Sequence, residues 1–106
     1  MKEVKGTRTV EVEVTKYEFE AKKGDYNESL TIENGEIVRT DSWNSRDGGW
    51  TLKGEVGFAQ SCKSAIRFIV DQKPEELKNI YHKLSEGPMK DFCRELQQEK
   101  IQELQF

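Results

Sequence analysis

The stretch Trp43–Phe58, WNSRDGGWTLKGEVGF, decides how the fold is read, because it joins a polar turn between two tryptophans to a run of alternating apolar residues. Trp50, Leu52, Val56 and Phe58 stand at even positions, and Thr51, Lys53, Glu55 and Gly57 at odd ones. That period of two is the pattern of a strand with one buried face, so a core strand is expected over 50–58. Gly54 leaves a gap in the inward set, which marks a bulge or the close approach of another element. Asn44-Ser45-Arg46-Asp47-Gly48-Gly49 is turn chemistry, and its paired glycines can take positive φ without steric cost. The hairpin closed by this turn should set Trp43 roughly opposite Trp50.

Working outward towards the N-terminus, Asn34-Gly35 between Ile32-Glu33 and Glu36-Ile37 is a strong hairpin signal, since a type I′ turn needs positive φ at both central residues. It pairs Glu33 with Glu36 and Ile32 with Ile37, and the two like charges place the tip in water. Before it, KKGDYN at 22–27 reads as a turn in which Tyr26 is a partly exposed loop aromatic. Val10, Val12 and Val14 share one parity, and Tyr17, Phe19 and Ala21 the other. A β-bulge near Thr15-Lys16 would reconcile the two phases within one long bent strand from about Thr7 to Ala21.

Beyond the tryptophan hairpin the period changes. Cys62, Ala65, Ile66, Ile69 and Val70 fall at i, i+3, i+4, i+7 and i+8, a complete helical stripe with Ser61 available as N-cap. The β-branched run Ile66 to Val70 would also suit a fifth strand, but the completeness of the stripe favours helix. Pro74, with Glu75 and Glu76 after it, opens a second helix at about 74–86 that buries Leu77, Ile80, Tyr81 and Leu84. Gly87 and Pro88 lead into a third at about 88–105, carrying Met89, Phe92, Cys93, Leu96, Ile101 and Leu104. The expected fold is therefore α+β: a four-stranded antiparallel meander with a bent first strand and two to three C-terminal helices covering one face.

Composition bounds what such a fold can do. A chain of 106 residues is expected to form one domain burying roughly two-thirds of its unfolded surface. With 34% hydrophobic and 35% charged residues its core is thin, and sharing that core between two copies, a homodimer, would thicken it. The last turns of the third helix, whose apolar residues turn away from the earlier ones, are where a second copy would pack. A net charge of −3 and a pI near 5.3 supply no general pull towards nucleic acid or an anionic membrane. No apolar run approaches the ~20 residues that span a bilayer, and MKEVKGTRT lacks the hydrophobic part of a secretory signal. A cytoplasmic chain with no membrane partner is expected.

The motifs exclude more chemistry than they suggest. Cys62 and Cys93 lie apart in helical patterns and read as buried reduced thiols rather than a disulfide or a metal pair. His82, the one histidine, lies off the apolar stripe of its helix and reads as a solvated residue, not a general base. Zinc needs three or four Cys and His ligands, nucleophilic triads need a base, and phosphate loops need a glycine pattern missing here. Asp41, Asn44 and Asp47 stand three apart, which is not the ligand spacing of a calcium loop. Gly54-Glu55-Val56-Gly57 has the outline of a phosphate-backbone clamp, but its glutamate would repel the phosphates. A non-enzymatic chain without cofactor or metal is expected.

Two surfaces remain. Glu11, Glu13, Lys16, Glu18 and Glu20 line the polar side of the first strand, either as an ordinary solvated face or as an acidic stripe imitating a nucleic-acid backbone. The other is the hairpin itself, with Arg39, Trp43, Asn44, Arg46, Asp47 and Trp50 as the candidate binding set. A cross-strand tryptophan pair can be purely stabilising, contributing about 0.5–1.5 kcal/mol beyond area burial. Exposed Trp and Arg are also the residues that dominate binding hot spots. The expected function is thus a small inhibitor or adaptor that contacts another protein, similar in style to phage and mobile-element proteins that block host enzymes. The alternative is a module that stacks a nucleotide or single-stranded nucleic acid on Trp43 and Trp50 beside Arg39 and Arg46.

Overall fold

A computed structural model describes residues 15–104, with side chains through residue 100. Four strands, β1 (Lys16–Lys23), β2 (Tyr26–Glu33), β3 (Glu36–Asn44) and β4 (Gly48–Leu52), form one antiparallel sheet in the order β1-β2-β3-β4. Three helices follow, α1 (Phe58–Gln72), α2 (Glu76–Lys83) and α3 (Pro88–Leu104). The α+β meander read from the sequence is the architecture found. No helix among the described residues is long and apolar enough to cross a membrane.

The core is assembled by the two periodicities. Phe19 and Ala21 on β1, Leu30 and Ile32 on β2 and Ile37 on β3 point to one side of the sheet and are buried there. α1 lays its stripe Cys62, Ala65, Ile66, Ile69 and Val70 over β1, β2 and β3, and burial of each Ile or Val is worth about 1.5–3 kcal/mol. Ile80 from α2, Leu84 just after it, and Cys93 and Leu96 from α3 complete the cluster, with α3 packed on α1 and α2. Salt bridges Arg67–Glu99 at 3.2 Å and Lys100–Asp71 at 2.8 Å tie α3 to α1. Cys62 and Cys93 are free and buried, and burial pushes both thiols up to about 11, so they stay protonated at neutral pH.

Several expectations change. The part of the first strand before Thr15, including Val10, Val12 and Val14 and the phase shift argued from them, lies outside the described residues, as do the side chains at the end of α3. A bulge does occur, but in β3: Thr31 pairs with Arg39 and Ile32 with Ile37, leaving Val38 as the extra residue. The first turn is shorter than 22–27, because Lys22 pairs with Asn27 and Lys23 with Tyr26, so Tyr26 belongs to β2. Its ring meets Phe68 of α1 edge-on at 5.1 Å.

The expected strand over 50–58 stops at Leu52. Gly54 (φ 111°) and Gly57 (φ 89°) adopt positive φ, which ends strand geometry, and no atom lies within 4 Å of a Cβ built on Gly54. Val56, expected inside, is fully exposed. The chain then enters α1 four residues before Ser61, with Gly57 in the N-cap position. The Ser61 hydroxyl is instead shared with Thr40 Oγ1 at 2.9 Å. α2 is shorter than 74–86, since Pro74 and Glu75 form a turn and Leu84 is already extended.

The Asn34-Gly35 turn is as read, with φ of 52° and 88°, and with Glu33 opposite Glu36 and Ile32 opposite Ile37. Ser85 N–H donates to Gly35 C=O at 2.9 Å, which pins the turn to the α2–α3 connection. A Cβ at Gly35 would collide with Ser85 Oγ, whereas one at Gly24 (φ 64°) would meet nothing within 4 Å. Gly35→Ala should therefore cost about 2–3 kcal/mol in urea unfolding, against about 1 kcal/mol for Gly24→Ala. Equal losses would mean that the Gly35–Ser85 contact does not constrain the fold.

Candidate functional site

The helices cover one face of the sheet, and among the described residues no element covers the other. Alternation places Lys16, Glu18 and Glu20 of β1 on the open face, beside Ser29, Thr31 and Glu33 of β2 and Arg39, Asp41 and Trp43 of β3. Two cross-strand rows organise it: Glu20, Ser29, Asp41, Thr51 and Glu18, Thr31, Arg39. The short side chains of Ser29 and Thr31 form a floor between longer ones, and the resulting shallow cavity has a volume of about 640 Å³, with Lys53 on its rim.

Asp41 is the electrostatic centre of this face. Arg39 donates to it twice, Nε to Oδ2 at 2.8 Å and Nη2 to Oδ1 at 3.0 Å, and Thr51 Oγ1 donates to Oδ1. Partial burial works against the charged carboxylate, but the Arg39 and Thr51 bonds, with the Arg39 and Lys53 charges, outweigh it and hold Asp41 below the usual carboxylate range. The bond to Asp41, with its charge, raises Arg39 further, and more distant Glu18 adds to the effect. The guanidinium is thus fixed in orientation by the bidentate geometry.

The tryptophans do not face each other. Trp43 pairs with Gly49, and Trp50 with Ser42, because the connection has only the three residues Ser45, Arg46 and Asp47. Directly opposed residues share a face, so this one-residue offset sends the two indoles to opposite sides of the sheet. Trp43, 44% exposed, lies on the open face against Gly49, where a Cβ would come within 3.0 Å of its Cδ1. Trp50, 46% exposed, projects on the helix side beyond the strands that α1 covers.

The loop residues hold the turn. Asn44 Oδ1 accepts from Arg46 N–H at 3.0 Å and from Asp47 N–H at 2.6 Å, the local side-chain bond that makes Asn a turn residue. Ser45 N–H and Oγ donate to Asp25, lowering its pKa and linking this loop to the first hairpin. Arg46 has an 88% exposed side chain, and among the described residues its one ion-pair partner is Asp47, at 3.7 Å. Of the six expected binding residues, the structure groups Arg39 and Trp43 on one surface, uses Asn44 and Asp47 inside the turn, leaves Arg46 in solvent, and turns Trp50 away. Asn44 Nδ2 reaches Asp47 Oδ2 at 3.5 Å within the turn while Asp41 is bonded to Arg39 and Thr51, and among the described residues no three His, Cys, Asp or Glu side chains are arranged for a metal ion.

Sequence reasoning missed the buried polar residues Glu28, Thr31, Thr40 and Ser42, of which Glu28 is ionisable. Glu28 shares the inward parity of Leu30 and Ile32, a signal open to reading once β2 is extended back to Tyr26, and it is only 8% exposed. Tyr26 OH donates to Glu28 Oε2, and Ser42 stands opposite Glu28 on β3. Burial raises the Glu28 pKa against the opposing effect of the Tyr26 bond. It also pushes Tyr26 up to about 12, helped by that bond and by the Glu28 charge.

Comparison with known protein families, with curated proteins and with solved structures yields no match.

Glu28 sets a sign for the pH dependence of stability. A raised carboxyl pKa means that the folded state holds the proton more tightly than the unfolded chain. Its favourable effect is complete below the ordinary value of 4.5 and is lost as pH rises through the native value. Glu28→Gln, which keeps an acceptor for Tyr26, should therefore raise the urea midpoint at pH 7 and lose most of that gain at about pH 4. A midpoint lowered at pH 7 would show that the carboxylate is stabilised there by more than Tyr26.

Proposed function

We propose that this chain is a small non-enzymatic binding protein, an inhibitor or adaptor, that holds another protein on the open face of its sheet through Trp43, Arg39 and the acidic edge at Glu18 and Glu20. The observation that carries this reading is the placement of Trp43, half-exposed, on the same uncovered face as the Arg39–Asp41–Thr51 network and the β1 carboxylates. An indole already resting on Gly49 and a guanidinium already oriented by Asp41 lose little freedom on binding, the property that makes such residues hot spots.

The charge pattern supports a protein partner over a phosphate backbone. Two of the three cations lining this cavity are already answered by carboxylates, Arg39 by Asp41 at 2.8 Å and Lys16 by Glu18 at 3.8 Å, which leaves Lys53 on the rim. The floor carries Ser29 and Thr31 where a sheet that stacks bases would present aromatic rings. The nucleotide alternative also loses its second ring, because Trp43 and Trp50 cannot sandwich a base from opposite faces.

A partner captured from the source cell and then purified would be titrated by calorimetry. Trp43→Ala and the pair Glu18→Lys, Glu20→Lys should each weaken binding by at least about tenfold, near 1.4 kcal/mol, with Trp50→Ala within about twofold. Unchanged affinity in both open-face variants would remove this surface from the reading. In a Trp50→Phe background, a Trp43 fluorescence response saturating with nucleotide or a short oligonucleotide would shift the assignment to the alternative.

A further inference from the structure

The two edges of the sheet are treated differently by the rest of the chain. β1 carries Lys16, Glu18, Glu20, Lys22 and Lys23, is packed by α1 and α2, and has Lys73 Nζ donating to the Glu20 carbonyl at 2.9 Å. Such charges and the capped carbonyl guard an edge against pairing. β4, with the sequence GGWTL, has no charged residue, no proline and an unbroken register with β3. Among the described residues no element pairs with its other side, a row of backbone donors and acceptors beside an indole 46% exposed on the helix side.

We propose that β4 pairs antiparallel with β4 of a second copy of this chain about a two-fold axis through Trp50, joining two four-stranded sheets edge to edge. In that register Trp50 faces Trp50 of the second copy, Gly49 faces Thr51, and Gly48 faces Leu52. The sequence GGWTL suits its own reverse: Thr51 and Leu52 each meet a glycine, no like charges oppose, and the two indoles meet where α1 leaves the sheet uncovered. β1 set against itself about Phe19 would bring Glu18 opposite Glu20 and Lys16 opposite Lys22, like charges facing each other, which is why the second copy is assigned to β4. The open faces carrying Arg39, Asp41 and Trp43 stay free on both copies, so this contact is independent of the protein-binding reading.

A contact of five residues per copy is smaller than a permanent interface requires, so the dimer should be concentration-dependent. Sedimentation equilibrium of the full chain from about 1 µM to about 1 mM should show the mass rising from 12.3 kDa towards twice that value. Trp50→Lys, which puts a charge on the edge, should shift the midpoint upward by at least about tenfold, with the circular dichroism unchanged. Trp50→Cys should form an intermolecular disulfide under mild oxidation while Glu36→Cys, at the distant turn, does not, and native Cys62 and Cys93 are buried and do not interfere. A monomer throughout this range would leave the edge to a strand of another protein or to none, and would overturn the proposal. So would a dimer indifferent to Trp50→Lys, or equal crosslinking at both positions.

Discussion

Burial of the α1 stripe, Cys62, Ala65, Ile66, Ile69 and Val70, against the inward residues of β1, β2 and β3 is the contact on which the rest of the molecule depends. The chain has one apolar layer to bury and enough helix to cover one side of the sheet. The opposite side must therefore be wettable, and it is built from Ser, Thr, Glu, Lys and Arg. What makes that face a candidate surface is its exposed indole, Trp43, held in place by a glycine on the neighbouring strand.

The one-sided cover also has a lateral limit. α1 packs on the first three strands, and β4 contributes no fully buried residue, so its inward-parity residues Trp50 and Leu52 remain partly exposed. Among the described residues the sheet thus ends in a strand whose side chains are half-committed to the core and whose backbone is paired on one side only. β1 has the same exposure in principle, but charged side chains and Lys73 answer it. This difference between edges is an outcome of which strand the helices reach.

Glu28 is the polar cost of the same layer. It occupies an inward position between Ala21 and Ser42, where a hydrophobic residue would be expected, and among the described residues its one side-chain hydrogen-bond partner is Tyr26. A buried carboxylate answered by a phenol rather than a cation is less favourable than an apolar residue in the same volume. Local rules are broken most often where function or specificity demands it. Glu28 stands on the helix side and the proposed protein contact on the other, so the two features are separable.

The sequence by itself determined the α+β meander, the Asn34-Gly35 turn with its register, the inward parity of Tyr17, Phe19 and Ala21, and the helical stripe from Cys62 to Val70. Each is a local signal: positive φ at two adjacent residues, a period of two, or a period of 3.6. Tertiary structure alone decided where β4 stops, which way each tryptophan points, and which polar residues share a surface. The alternation over 50–58 was real as a pattern, yet a strand buries its even positions only where a helix lies over them, and none covers Val56. A loop of three residues instead of six moves the hairpin register by one, and because side chains alternate, that single step separates Trp43 from Trp50 by the thickness of the sheet.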